Sequence, residues 1–266
     1  MSSRRLPLAP DLRAIARHGR CALAIVLKAP RQGYVKTRLV PPLTPEAAAG
    51  LSRCMIRDTT ENIAAACRVS HAVGVAVYTP AGAESALDPL LPDGFGRLLQ
   101  RGTGFGERLA NAATDLFAAG FSAVCLVDSD SPTLPTATLV DAVRQLETEG
   151  DRVVIAGADD GGYCLIGLKT PHPEVFEQID WSTSRVRAQT EERAAAAALA
   201  VAALPVWYDV DDRASLDRLY DELLGPAGTA ARPGYPAPHT RRFLATLSDE
   251  RDEAGDWRLG VHADAR

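Results

Sequence analysis

The chain has 266 residues, 46% hydrophobic and 24% charged, with a formal net charge of -5 at pH 7. That size and balance describe a globular enzyme of one large domain, or one domain with an appendage, and set aside disorder and fibrous repeats. An acidic balance argues against nucleic acid as the main partner, because a polyanion needs a basic stripe to neutralise its phosphates.

Apolar runs at 21–27, 72–78, 122–127, 152–157, 163–168 and 203–208 alternate with helical patterns at 44–68, 81–91, 104–119, 136–149, 184–201 and 214–224. This rhythm predicts βα units and an α/β fold with a mostly parallel, Rossmann-type sheet flanked by helices. The first twenty residues are Arg-rich, hold no apolar run of signal-peptide length, and are read as a flexible segment (1–20). The catalytic domain is expected over 21–224, with a Gly/Pro-rich extension (225–266) holding a short helix at best. Thr44 followed by Pro45 and Glu46 marks a helix start, and the Ala-rich stretch 194–203 reads as helix. No segment approaches ~18 uninterrupted apolar residues, so no membrane span is expected. The five cysteines (21, 54, 67, 125 and 164) lack CxxC spacing and sit in apolar contexts, which suits buried thiols in a reducing compartment. A cytoplasmic location follows from these signals.

The first predicted strand runs into a loop from Lys28 to Leu39 that carries Lys28, Arg31, Lys36 and Arg38 together with Gly33 and the Thr37 hydroxyl. Lysines supply point charge and Arg38 a planar fork, so the loop is suited to phosphate oxygens, although a charge cluster is often only a solvated face. It matches neither the P-loop pattern nor the G-x-G-x-x-G fingerprint. The run Val124-Cys125-Leu126-Val127 reads as a strand buried on both faces that stops on Asp128 and Asp130, where ligands of open α/β sheets bind. Two hard oxygen donors there suit Mg²⁺ or Mn²⁺ with positions left for substrate phosphates. The alternative is that this acidic turn caps the helix at 136–149.

Further motifs keep two readings each. Gly104-Phe105-Gly106-Glu107 opens a helix and can pass close to a nucleobase or ribose, or can be a plain loop-to-helix junction. Asp159-Asp160-Gly161-Gly162-Tyr163 lies between two strands and reads locally as a hairpin turn. Asp209 and Asp211 follow the last strand as a second carboxylate pair, or cap the helix near Ser215. Trp181 is placed near the acceptor opening or in the core, with Thr183 as a helix cap.

Lys28-Ala29-Pro30, Gly33 and Lys36-Thr37-Arg38-Leu39, followed in order by Gly104 to Leu109, Asp128 to Leu134, Asp159 to Tyr163, Trp181 to Thr183 and Tyr208 to Asp211, resemble the DUF2064 family over about residues 21–224. That family is grouped with glycosyltransferases, and the resemblance implies the GT-A nucleotide-diphospho-sugar transferase fold, which also hosts nucleotidyltransferases of molybdopterin and deazaflavin-coenzyme synthesis. It implies that Lys28, Gly33, Lys36, Thr37, Arg38, Gly104 and Gly106 bind nucleotide. Asp128, Asp130 and Asp211 would hold the metal, and Asp160, Gly161, Gly162 and Trp181 would face the transferred group, with Asp130, Asp160 and Lys36 serving catalysis. The chain departs from the family at Asp211-Asp212-Arg213-Ala214, where Asp-Thr-Pro-Glu-Asp is commoner. The expectation is a metal-dependent glycosyltransferase that uses a nucleotide-sugar donor and a small-molecule acceptor. One alternative is a nucleotidyltransferase that joins a nucleoside triphosphate to a phosphorylated acceptor with release of pyrophosphate; another is a nucleotide-binding protein without catalysis.

Overall fold

In the computed structural model, which describes residues 10–16, 20–225 and 233–247, seven strands form one sheet. They are β1 (Cys21–Lys28), β2 (Ala72–Thr79), β3 (Gly96–Leu99), β4 (Ala123–Val127), β5 (Arg152–Ala158), β6 (Tyr163–Leu168) and β7 (Ala200–Trp207), in the order β3-β2-β1-β4-β6-β5-β7. All neighbours pair in parallel except β6, which runs antiparallel to both β4 and β5. The expected mostly parallel α/β sheet is present. β4 is buried throughout, as an apolar run without alternation requires when both faces are covered.

The covering helices are α1 (Pro10–Ile15), α2 (Pro45–Cys67), α3 (Glu84–Leu87), α4 (Phe105–Ala119), α5 (Thr136–Glu147), α6 (Val186–Ala196), α7 (Arg213–Leu224) and α8 (Pro238–Thr246). Leu23, Ile25 and Val127 point to the core face that receives α2 and α5, while Ala24, Val124 and Leu126 point to the face that receives α4. A third apolar cluster joins Leu39, Leu51 and Met55 to Tyr208, Leu216 and Leu244, tying the end of the first loop to α2, α7 and α8. Thr44 caps α2 by accepting from the Ala47 amide at 3.1 Å, with Pro45 in the first turn.

Three local expectations change. The Ala-rich stretch 194–203 is not one helix: α6 ends at Ala196, Ala198 turns at φ 56°, and β7 starts at Ala200. Pairing of Ala200 to Leu204 with Arg152 to Ala156 overrides the helical preference of alanine. The 81–91 pattern breaks into α3 and a 3₁₀ turn over Asp88–Leu90, because Pro89 cannot continue an α-helix. Of the N-terminal segment expected to be flexible, residues 10–15 are helical, with Leu12 fully buried, and Gly96 leaves the space that Leu12 and Ile15 fill. In the C-terminal extension, α8 docks on α2, as the short helix expected there; residues 1–9, 17–19, 226–232 and 248–266 of the two terminal segments lie outside the described residues. No described helix is long and apolar enough to cross a membrane.

One edge of the sheet collects the chemistry. The C-terminal ends of β1, β4, β5 and β7 all lie there, because those strands are mutually parallel in direction. β6 starts at that same edge, so the β5–β6 hairpin also opens onto it. Asp159 N donates to Trp207 O at 3.0 Å and Val210 N to Asp130 O at 2.9 Å, which lock the three acidic loops together.

Candidate active site

The loop after β1 divides its cations between an inward and an outward set. Gly33 takes φ +75°, and Lys36 sits in the left-handed region at φ 49°. That turn sends the Lys36 side chain inward, where it is 5% exposed, and its Nζ donates to Asp130 Oδ1 at 2.7 Å, Asp211 Oδ1 at 3.0 Å and Val210 O at 2.7 Å. Burial opposes the charge, but Asp130 and Asp211 outweigh it and hold the ammonium pKa above its usual 10.5. Arg38 is 68% exposed and reaches Asp211 at 3.9 Å. Lys28 and Arg31 each lie 5.7 Å from the ring of Tyr34, which is 64% exposed. Lys28, Tyr34, Thr37 and Arg38 surround a basic pocket of about 260 Å³ that meets Asp130 and Asp211 on its far wall.

After β4, Asp128 folds its own turn. Its Oδ1 accepts from the amides of Asp130 (3.3 Å) and Ser131 (3.2 Å), and its Oδ2 accepts from Ser131 Oγ at 2.8 Å. Neither Asp128 nor Asp130 caps α5, whose N-cap is Pro135, so the capping alternative does not hold. Burial pushes the Asp128 carboxyl well above the usual carboxylate range, and the neighbouring Asp130 and Asp209 add to the rise. At the end of β7 the cap of α7 is Asp212, which exchanges hydrogen bonds with Ser215 in a capping box. Asp209 and Asp211 are therefore left for the site. Asp209 is pushed up to about 7, first by burial and then by Asp160 and Asp211.

The β5–β6 hairpin is a tight turn, as its Asp-Gly sequence reads, and it also carries Asp160 to the site. Gly161 sits at φ +93°, and a Cβ there would lie 2.1 Å from Ser184 O, so only glycine fits. Asp160 Oδ1 accepts from Gly162 N at 2.7 Å. Gly106 is required by close packing: a Cβ would stand 2.6 Å from Trp181 Nε1 and from Phe176 O. Gly104 is the N-cap of α4, and neither it nor Gly106 lines the basic pocket. Thr183 does not cap α6, whose N-cap is Arg185; its Oγ1 donates to Asp180 O at 2.7 Å in the turn ahead.

These parts enclose a second cavity of about 290 Å³, whose lining includes Phe105, Tyr163 and Trp181 together with Asp128, Asp160 and Asp209, and which shares Asp130 and Asp211 with the basic pocket. Trp181 meets Phe105 edge-on at 5.0 Å and Tyr163 at 6.4 Å between ring centroids. Phe105 and Tyr163 were not singled out from the sequence, although each sits inside a glycine motif that was. Tyr34, in the basic loop, was missed in the same way.

The oxygen donors fit a divalent cation. Among the described residues Lys36 is the single side chain that pairs with both Asp130 and Asp211, and Asp128 and Asp209, raised first by burial, are raised further by the neighbouring carboxylates. No three of these carboxylates bring ligand oxygens within 4.8 Å of one another; among the described residues, only Asp58, Glu61 and His239 form such a group. Few protein ligands with positions left for phosphate oxygens are what Mg²⁺ or Mn²⁺ takes. The Asp58 group has another task. Asp58 is fully buried and accepts from the amides of His239 (3.0 Å) and Thr240 (2.7 Å), and His239 Nε2 bonds Glu61 at 2.9 Å, which clips α8 to α2.

A profile of the family described as "Uncharacterized protein conserved in bacteria (DUF2064)" matches residues 62–183. The chain is also similar to a solved structure titled as a "putative nucleotide-diphospho-sugar transferase" from Desulfovibrio desulfuricans G20, at 30% identity and TM-score 0.72, over 85% of this chain and 96% of the other. The chain belongs to the DUF2064 family. It shares its fold with that "putative nucleotide-diphospho-sugar transferase". More distant folds include CMP:2-keto-3-deoxy-manno-octonic acid synthetase complexed with CTP (10% identity, TM-score 0.48, 75% of this chain and 96% of that one). The 4-diphosphocytidyl-2C-methyl-D-erythritol synthase of Anaerococcus prevotii DSM 20548 matches at 9% identity and TM-score 0.48, over 76% of this chain and 95% of that one. No curated protein matches the sequence. In this DUF2064 chain the segments around Gly104, Asp128, Asp160 and Trp181 fall inside the matched stretch 62–183, whereas the basic loop and Asp209 to Asp211 fall outside it.

Proposed function

We propose that this DUF2064 chain is a metal-dependent glycosyltransferase that takes a nucleotide-sugar donor and a small-molecule acceptor. The observation that carries the reading is the pair of adjoining pockets of opposite character that share Asp130 and Asp211. A nucleoside diphosphate needs cations and suits the pocket of Lys28, Thr37 and Arg38; the transferred sugar needs hydroxyl acceptors and an apolar wall and suits the cavity of Asp160 and Trp181. Gly33 and Gly104 would let backbone approach the nucleotide, and Gly161 and Gly162 would set how far Asp160 reaches. Asp130 and Asp211, with Asp128 behind them, would hold Mg²⁺ or Mn²⁺, which when bound stabilises negative charge growing on the leaving diphosphate.

Lys36 acts on the same charge from the protein side. Held by Asp130 and Asp211, its ammonium is preorganised between the two pockets and needs no rearrangement as the sugar–phosphate bond breaks. A nucleotidyltransferase is the second reading, favoured by the three outward cations Lys28, Arg31 and Arg38, which would serve a triphosphate.

The test is incubation with nucleotide sugars and, separately, with nucleoside triphosphates, in the presence of Mg²⁺ or Mn²⁺. Release of nucleoside diphosphate from a nucleotide sugar, lost in Asp130→Asn, is the expected result. Pyrophosphate release that depends on a phosphorylated acceptor, with no nucleotide sugar consumed, would make the second reading the answer.

A further inference from the structure

The cavity of Asp160 and Trp181 has walls that select by charge. Its lining contains the five carboxylates of Asp128, Asp130, Asp160, Asp209 and Asp211 and, among the described residues, no lysine, arginine or histidine. The cations nearby lie outside its lining. Lys36 is held by Asp130 and Asp211, Arg187 pairs with Glu191 at 2.7 Å, Arg218 pairs with Asp159, Arg108 lies over the Phe105 ring and donates to Thr103 O at 3.1 Å, and the exposed Arg38 belongs to the basic pocket. A phosphate entering this space would lose its water and meet like charge, with no donor fork to receive it. The same lining carries an apolar, angular cluster, since Phe105 and Tyr163 both stand edge-on to Trp181. Leu109, Leu126 and Ile166 also line it. Carboxylate oxygens accept from hydroxyls, and ring edges and faces pack against C–H surfaces. At about 290 Å³ the space is at the small end for ligand sites, which run from ~300 Å³ upward.

We infer that this cavity receives an uncharged, hydroxylated molecule with one apolar face and rejects phosphate-bearing ones. Phe105 and Trp181 pack its apolar face, and Asp160, the exposed carboxylate of the hairpin, accepts from its hydroxyls. The role of this molecule as acceptor or transferred sugar rests on the transferase reading; its chemistry rests on the cavity alone. If both hold, the reaction joins neutral groups, and a phosphorylated acceptor is not a substrate.

The experiment measures binding of phenyl glycosides and of their 6-phosphate esters to the full chain without nucleotide, by saturation-transfer NMR and calorimetry. At least one neutral glycoside is expected to bind, with saturation strongest at the phenyl protons, and its ester to bind on the order of tenfold more weakly or not at all. Phe105→Ala removes an exposed ring without opening the core and is expected to abolish the phenyl contact, with Trp181→Phe weakening it. Asp160→Asn is expected to narrow the gap between glycoside and ester. Preference for the esters, failure of every neutral glycoside to bind, or binding untouched by Phe105→Ala overturns the inference. A chain that binds the glycosides as stated but binds no nucleoside diphosphate with Mg²⁺ overturns the transferase reading and leaves the cavity assignment standing.

Discussion

Lys36→Met tests how much the inward lysine matters to the folded state, because methionine keeps most of the buried stem and removes only the charge. Lys36 Nζ makes three short polar contacts, with Asp130 Oδ1 at 2.7 Å, Asp211 Oδ1 at 3.0 Å and Val210 O at 2.7 Å. Breaking a fully buried ion pair costs about 3–5 kcal/mol. Here the partners are 37% and 45% exposed, so water can take over part of their solvation, and a loss of about 2 kcal/mol is expected. For a domain of this size that corresponds to a fall in Tm of about 4–8 °C, read by circular dichroism in the presence of a chelator. Two further signatures separate charge from packing. Mg²⁺ is expected to restore part of the loss in the variant, where NaCl of equal ionic strength does not. The pKa of Lys36 is raised in the folded chain, so its contribution is complete below about 10.5 and is lost as pH rises through the folded value. The wild type is therefore expected to lose stability above that pH, and the variant to lack this component. A Tm within about 1 °C of wild type at pH 7, or recovery by NaCl as complete as by Mg²⁺, would refute the reasoning.

Arg38→Ala is expected to weaken nucleoside diphosphate binding by about tenfold or more in calorimetry with little change in Tm, since one exposed, charge-assisted contact is removed. Asp209→Asn is expected to raise the Tm of the metal-free chain most at pH 8, less at pH 5 and not at all below about pH 4: the Asp209 carboxyl is pushed up from 3.8 to about 7 in the folded chain, so its cost begins at the unfolded value and is complete above the folded one. Thermal melts across this range that show a constant difference would contradict the shift. Gly161→Ala must adopt φ +93° against Ser184 O, and denaturant titration is expected to show a loss above about 2 kcal/mol, whereas Gly104→Ala, with nothing within 4 Å, changes stability far less. Asp58→Ala leaves the amides of His239 and Thr240 without their buried acceptor and is expected to cost about 1–3 kcal/mol, with faster hydrogen exchange confined to α8.

The alternation of apolar runs with helical patterns was enough to read most of the sheet, because strands buried on both faces leave continuous runs such as Val124 to Val127 that few other environments produce. What escaped were elements decided by partners distant in sequence. β7 begins in alanines whose local preference is helical, and only pairing with β5 turns them. α1 is six residues long within a segment read as flexible, and it is held by its docking beside Gly96, whereas the short helix expected in the C-terminal extension is present as α8, clipped at Asp58. At the site, the motifs named the acidic residues but not their division of labour. Three aspartates near the start of α7 are equivalent on paper, and only geometry gives Asp212 the cap and leaves Asp209 and Asp211 free of it. Lys36 and Arg38 likewise read as one cluster until the left-handed turn at Lys36 sends one inward and leaves the other in solvent.

The single reversed strand has a consequence for how such a site diversifies. Because β6 runs against its neighbours, the connection from Ala158 to Tyr163 is a short hairpin at the ligand edge instead of a crossover at the far end. The other loops at that edge are bound into helices that follow them, so a change in their length must be absorbed by a packed element. The hairpin is anchored in register on both sides by β5 and β6 and leads nowhere else. Substitution of Asp160 would thus change the carboxylate offered to the cavity while Gly161, held against Ser184, and the Asp159 contact to Trp207 keep the turn and β7 in place, making this exposed position one where specificity can drift with little disturbance to the fold.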